Sequence, residues 1–253
     1  MKKMMIAAAA VCLSAGAATA QFAGKLVYQV VRPSVVLTMT YYQSGNNVHV
    51  EAYSIDVKKG KPDSSTLFAQ DTILFDLSKG TETHLQRQTH YAIITAYTLT
   101  LAAQAGYGKF VSSVSVQPVG TETVNGYPCT HFIEKYNGAK PFGATQRDIW
   151  VTSALGNPGI DVMGSYLYYT PGSQRMQALI AAGCTGVVVR TKMSGIGQTT
   201  VMDLVSVDTK TRLPASMFQV PSYYSVIDNS GYVAPKMGAK AALSPTKALT
   251  PKQ

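Results

Sequence analysis

The chain has 253 residues, with 22 Lys and Arg against 13 Asp and Glu and a formal net charge of +9. That length suits one large or two small domains. The bases are scattered and form no arginine-rich helix, which argues against nucleic acid as a partner; the positive balance favours anionic surfaces such as lipid headgroups or cell-wall polymers.

The first element is a leader. Lys2 and Lys3 precede an Ala-rich apolar run that closes on Ala18-Thr19-Ala20, just before Gln21. A positive start, an apolar middle and small residues at the −3 and −1 positions make a secretory signal peptide over residues 1–20, cleaved after Ala20. This predicts an exported protein, periplasmic or extracellular, and a charge of +7 once two leader lysines are gone. A retained anchor is the alternative, but the run is short and Ala-rich for a bilayer span. A lipidated N-terminus at Cys12 is another, but Val11 stands where a small residue is required. No later segment reads as a transmembrane span.

From Gln21 onward the pattern is period two, the spacing of strands. Strands are predicted around Leu26–Val30, Val35–Tyr42, Val48–Glu51, Ile73–Leu77, Thr83–Arg87, Tyr91–Thr98 and Ser112–Val119. Later ones are Thr130–Tyr136, Arg147–Thr152, Val187–Met193, Thr199–Val207 and Leu213–Gln219. Ser44-Gly45-Asn46-Asn47, Ser78-Lys79-Gly80 and Asn125-Gly126 supply residues that tolerate positive φ between them. Strands joined this tightly run antiparallel, so the sheet is expected to be a meander.

Helices are few. Asn157-Pro158 resembles a cap with proline at the first helical position, followed by Ile160, Met163 and Leu167 on one stripe. A second helix fits Gln174–Ala182, capped by Ser173 and stopped by Gly183, with Met176, Leu179 and Ile180 at helical spacing. A weaker turn is expected at Leu99–Ala105. Because Val35–Tyr42 and Tyr91–Thr98 carry apolar groups on both faces, both faces of the sheet are expected to be covered. The predicted fold is therefore mainly β: a strongly curved antiparallel sheet, an open half-barrel covered by two or three short helices. The domain spans 21–231, and 232–253, rich in Ala, Pro and Lys, is a disordered basic tail suited to an anionic envelope surface.

Cys129 and Cys184 remain after cleavage. In an oxidising compartment they are candidates for a disulfide worth about 4 kcal/mol, or else for two buried, inert thiols. Cys129 and His131 share a strand face, but no third orienting group is evident. His49, His84, His90 and His131 lack metal-ligand spacing, no Gly-x-Ser-x-Gly elbow appears, and Gly195-Ile196-Gly197 lies between strands. Asp148 and Asp161 are at most a nominal acid pair. The sequence predicts no catalytic residue, no metal and no cofactor.

Several segments carry a resemblance: Phe22-Ala23-Gly24-Lys25-Leu26-Val27-Tyr28, then Met39-Thr40-Tyr41-Tyr42, Val124-Asn125-Gly126-Tyr127-Pro128-Cys129 and Asp148-Ile149-Trp150-Val151, and finally Leu213-Pro214 with Phe218-Gln219-Val220-Pro221-Ser222-Tyr223. From Phe22 to Tyr224 the chain resembles an uncharacterised family of exported bacterial domains related to the LolA-like lipoprotein carriers. The resemblance implies an open, unclosed β-barrel with a greasy concave face under helices. It implies no individual binding residues.

The leading expectation is a non-enzymatic envelope protein holding a lipid or acyl chain in that hollow. Candidate lining groups are Met39, Tyr41, Ile93, Met163, Leu167, Met176 and Leu179, with methionine suited to flexible tails. The second expectation is a structural or interaction protein with a filled core.

Overall fold

The computed structural model describes residues 21–32, 34–58, 61–69, 72–96, 111–138, 144–158, 174–195 and 198–231. The first eight strands are β1 (Gly24–Val31), β2 (Val35–Ser44), β3 (Asn47–Lys58), β4 (Lys61–Pro62), β5 (Phe68–Ala69), β6 (Thr72–Asp76), β7 (Thr81–Gln86) and β8 (Tyr91–Ala96). Then come β9 (Val111–Val124), β10 (Tyr127–Gly138), β11 (Ala144–Thr152), helix α1 (Gln174–Ala181), β12 (Val187–Gly195), β13 (Gln198–Asp208) and β14 (Ser225–Asp228). One sheet runs in the order β14-β8-β7-β6-β3-β2-β1-β13-β12-β11-β10-β9, with β4 and β5 paired on β3. Its ends, β14 and β9, are different strands that do not pair with each other, so the sheet is unclosed.

The predicted turns have their expected geometry. Gly45 and Gly80 sit at φ 56 and 65. At the β9–β10 hairpin, Asn125 and Gly126 take φ 49 and 83, the consecutive positive values of a tight primed turn. The meander is antiparallel throughout except for β14, which pairs parallel with β8.

Three bonds show how strongly the sheet curls, because each links segments separated by intervening strands. The Tyr28 hydroxyl on β1 donates to the Val188 carbonyl on β12 at 2.9 Å, passing over β13. The Phe22 amide, entering β1, donates to the Asn157 carbonyl beyond β11 at 2.9 Å. Asn125 Nδ2 reaches the Leu204 carbonyl on β13 at 3.1 Å, three strands from β10.

The concave face holds one contiguous apolar cluster that runs from Ile73 and Phe75 on β6, through Tyr28, Met39 and Tyr41, to Phe132 on β10 and Leu179 on α1. Helix α1 covers the β9–β10 side. Its last turn closes on Gly183 at φ 74, where the Cys184 amide donates to Leu179 O at 2.8 Å and the Gly183 amide to Ile180 O at 2.9 Å. This pairing satisfies the terminal carbonyls of a helix that meets a left-handed glycine.

The second covered face has a cause that the strand pattern did not name. Leu74, Leu85 and Ala92 form a smaller cluster on the convex side, and Val220 and Tyr224 pack on it. The segment after β13 thus crosses the outside of the sheet before pairing as β14. The predicted strand Leu213–Gln219 is corrected here: Ala215–Phe218 is a 3-10 turn following Pro214. Prolines at 214 and 221 lack ladder donors, and the Met217 carbonyl instead accepts from His49 Nδ1 at 2.6 Å. Beyond Pro158 the predicted helix through Leu167 lies outside the described residues, as do the turn at Leu99–Ala105, the leader and the 232–253 tail.

Candidate ligand site between strand 13 and the hairpin of strands 9 and 10

Strand pairing sets up the site. β12 and β13 are paired as far as Arg190 and Asp203. Below that point Val187 and Val188 pair only with β11, while β13 continues along β1. The β1–β13 register also shifts, with Val27 opposite Ser206 and Tyr28 opposite Leu204, so that Val205 bulges out of the ladder and is half exposed. A bulge of this kind re-aims side chains and ends pairing.

The tip of the β9–β10 hairpin fills part of the gap. Besides its bond to Leu204 O, the Asn125 amide lies 3.5 Å from Asp203 Oδ1. Arg190 Nε donates to the same carboxylate oxygen at 2.6 Å, and Arg190 Nη2 sits 3.5 Å from Asn125 Oδ1. What remains is an open slot of about 440 Å³. Its apolar lining residues are Tyr127, Leu204, Val205 and Val207; its polar ones are Asn125, Asp203 and Ser206. Tyr127 and Val207 pack against the concave core, of which Leu204 is a member, so the core backs the slot. Its size falls within the range of small-molecule pockets, about 300–1,000 Å³.

The predicted lining residues take different places. Met39, Tyr41 and Leu179 are buried within the concave cluster. Ile93 lies opposite His84, which lies opposite Ile73, so it shares the concave face and is half-buried. Met176 belongs to α1, but its side chain is not among those described, and Met163 and Leu167 lie outside the described residues. None of these residues lines the slot.

A buried ion cluster, also unforeseen, lies under α1. Arg175 Nη2 donates to Glu134 Oε2 at 2.9 Å, and Arg175 Nε bonds the other carboxylate oxygen. Arg147 Nη1 is 3.8 Å from Glu134 Oε2, and all three residues are essentially inaccessible. Burial opposes ionisation of Glu134, but Arg175 and then Arg147 outweigh it and hold its pKa below the ordinary value. Strand parity carried a signal for this cluster: Glu134 alternates with Phe132 and Tyr136, and Arg147 with Ile149 and Val151.

The thiols are not activated. Cys129 and Cys184 are free, so the predicted disulfide is not formed in this structure. Cys129 Sγ lies 3.4 Å from the Tyr127 carbonyl, and burial raises its pKa. Burial pushes Cys184 up to about 12. His131 turns to other partners: it stacks on Trp150 at 4.3 Å between centroids and pairs with Asp148 at 2.9 Å. Trp150 Nε1 donates to Glu122. Among the described residues no group of three His, Cys, Asp or Glu side chains is placed to hold a metal, and no helix is long and apolar enough to cross a membrane.

A family model for DUF4412, a domain of unknown function, matches residues 22–224. The chain belongs to this family. No curated protein matches it. Among solved structures, one likeness is to a Vibrio parahaemolyticus domain whose description assigns it, provisionally, to outer membrane lipoprotein sorting. It shows 9% identity, 77% coverage of this chain, 88% of the other and a TM-score of 0.31. Another is a DUF1329 family protein from Desulfovibrio piger, with 10% identity, coverage of 78% and 88%, and a TM-score of 0.24. Likenesses of this size fix neither a shared ligand nor a shared activity.

Proposed function

We propose that this DUF4412 protein is an exported, non-enzymatic protein of the bacterial envelope that binds a hydrophobic ligand, a lipid or acyl chain, in its curved sheet. The slot between β13 and the β9–β10 hairpin carries this reading, because its lining combines apolar residues continuous with the core and the polar groups of Asn125, Asp203 and Ser206. Such a pairing suits an amphiphile: the chain lies along Tyr127, Leu204 and Val207, and the polar end meets the amide, carboxylate and hydroxyl. Each methylene buried contributes about 0.8 kcal/mol. Met39 and Tyr41 belong to the same core cluster as Leu204, and Met163, Leu167 and Met176 are proposed as further ligand contacts. In this reading residues 1–20 are removed on export, 21–231 form the binding domain and the basic 232–253 segment faces anionic envelope surfaces. A non-enzymatic role accords with the raised thiol of Cys129 and with His131 paired to Asp148 rather than to a nucleophile.

A second reading is an interaction module with a filled core, favoured by the packing of Met39, Tyr41 and Leu179 into one cluster. Mass spectrometry of an organic extract of the purified protein separates the two. The carrier reading predicts copurifying lipid, and competition between that lipid and a fluorescent fatty acid for the stripped protein. An empty extract with no probe binding leaves only the interaction module.

A further inference from the structure

Among the described residues, half of the exposed large apolar side chains gather at one end of the strands. The pairing register brings them together. Val31 ends β1 opposite Val36, which lies opposite Ile55 on β3. Phe68 lies opposite Ser54 on that strand, with Leu67 beside it. Across β6 and β7 the same end continues to Gln86, opposite Tyr91, which lies opposite Ser225 on β14. Tyr223 stands just before β14, its ring 5.7 Å from His90. Val31, Leu67, Phe68 and Tyr223 are each more than half exposed, and Tyr91 is 43% exposed. From β1 to β14 the rim crosses six strand steps, roughly 30 Å of arc at about 4.8 Å per step.

A rim with five exposed large apolar groups requires explanation, since clustered exposed apolar side chains mark interaction surfaces. Its charges point to the partner. Arg32, Lys58, Lys61 and Arg87 stand among these apolar groups, with Asp56, Asp63 and Glu51 as the carboxylates of the same end. Lys58 pairs with Asp63 at 2.7 Å and Arg87 lies 4.0 Å from Glu51, so the four cations exceed the three carboxylates by one. Tyrosine, leucine and phenylalanine interleaved with lysine and arginine are the side chains that settle at a bilayer surface, rings and aliphatic groups at headgroup depth and cations on anionic phosphates.

We propose that this rim docks the protein, edge-on, to an anionic lipid bilayer. It uses β1, β3, β5, β8 and the β14 edge, none of which lines the slot, so it stands apart from the ligand-binding reading.

The test is sedimentation of the purified, processed protein with vesicles of phosphatidylglycerol or phosphatidylcholine. Binding is expected to phosphatidylglycerol and to weaken with salt. Leu67→Ser with Phe68→Ser removes two exposed groups that no core residue needs, and is expected to weaken binding about tenfold or more with an unchanged circular dichroism spectrum. Ser206→Trp, which fills the slot, is expected to leave vesicle binding unchanged. Changing Lys236, Lys240, Lys247 and Lys252 to Gln is expected to reduce binding less than the rim variant does. Absence of binding, equal binding by the rim variant, or dependence on the tail lysines alone would overturn the proposal.

Discussion

Arg175 on the helix and Glu134 on β10 form a two-point ion pair from which solvent is excluded, and it is the polar tie that fixes α1 over the concave face. Burying charges in this way is costly unless the partners remain together. Glu134→Gln keeps the shape but removes the charge between two guanidinium groups, so a loss of about 3–5 kcal/mol is expected. Urea unfolding measures it. A loss under about 1 kcal/mol would mean that the pair is hydrated and contributes as a surface bridge does.

The same carboxylate governs acid stability. Glu134 is held below its ordinary value of 4.5, so in the folded state it stays ionised at pH values where the unfolded chain takes up a proton. The unfolded state then binds more protons, and stability rises with pH across that interval. The contribution is full above the ordinary carboxylate pKa and is lost as pH falls through the depressed folded value. Unfolding midpoints measured between pH 6 and pH 3, conditions chosen to bracket this window, are expected to fall more steeply for the wild type than for Glu134→Gln.

Cys184, pushed up to about 12 by burial, is protonated at neutral pH, and thiols react as thiolates. Both Cys129 and Cys184 are therefore expected to resist iodoacetamide in the native protein at pH 8 and to react together in denaturant. Intact mass reads the outcome. No alkylation in denaturant until a reductant is added would show a bridge in place of two thiols.

Two backbone positions, Asn125 and Gly186, hold positive φ. Asn125 combines φ 49 with its bond to Leu204 O and longer contacts to Asp203 and Arg190; Asn125→Gly keeps the turn and loses these side-chain contacts, about 1 kcal/mol, while Asn125→Ala adds the strain of a left-handed residue, about 1–2 kcal/mol more. Gly186, at φ 127, leads into β12, and a Cβ there would stand 2.5 Å from the Thr152 carbonyl. Gly186→Ala is expected to lower the melting temperature more than Asn125→Gly does, since the colliding atom is backbone.

Much of the sheet was legible because its strands are local patterns. Leu26, Tyr28 and Val30 alternate in the sequence and point inward together in the structure. The final strand escaped notice because Ser225–Asp228 is exposed on both faces and shows no alternation of burial. Leu213–Gln219 reads as a strand because Leu213, Ala215 and Met217 alternate, but Pro214 lacks a ladder donor and Ala215–Phe218 closes into a 3-10 turn. Glu134 and Arg147 were passed over as strand-borne charges, although their parity with Phe132 and Ile149 marked them as inward-facing. The slot was not legible at all: it exists because β12 parts from β13 below Arg190 and because a hairpin three strands away reaches back to Leu204, and neither event leaves a local pattern.

The central claim is that an amphiphile occupies the slot beside β13. Calorimetric titration of lipid-stripped protein with a long-chain fatty acid, for the wild type and for Ser206→Trp, tests it most directly. The account predicts one saturable site in the wild type, with affinity about tenfold or more weaker in the variant and no change in melting temperature without ligand. Equal binding by both proteins, or no heat from either, would contradict it.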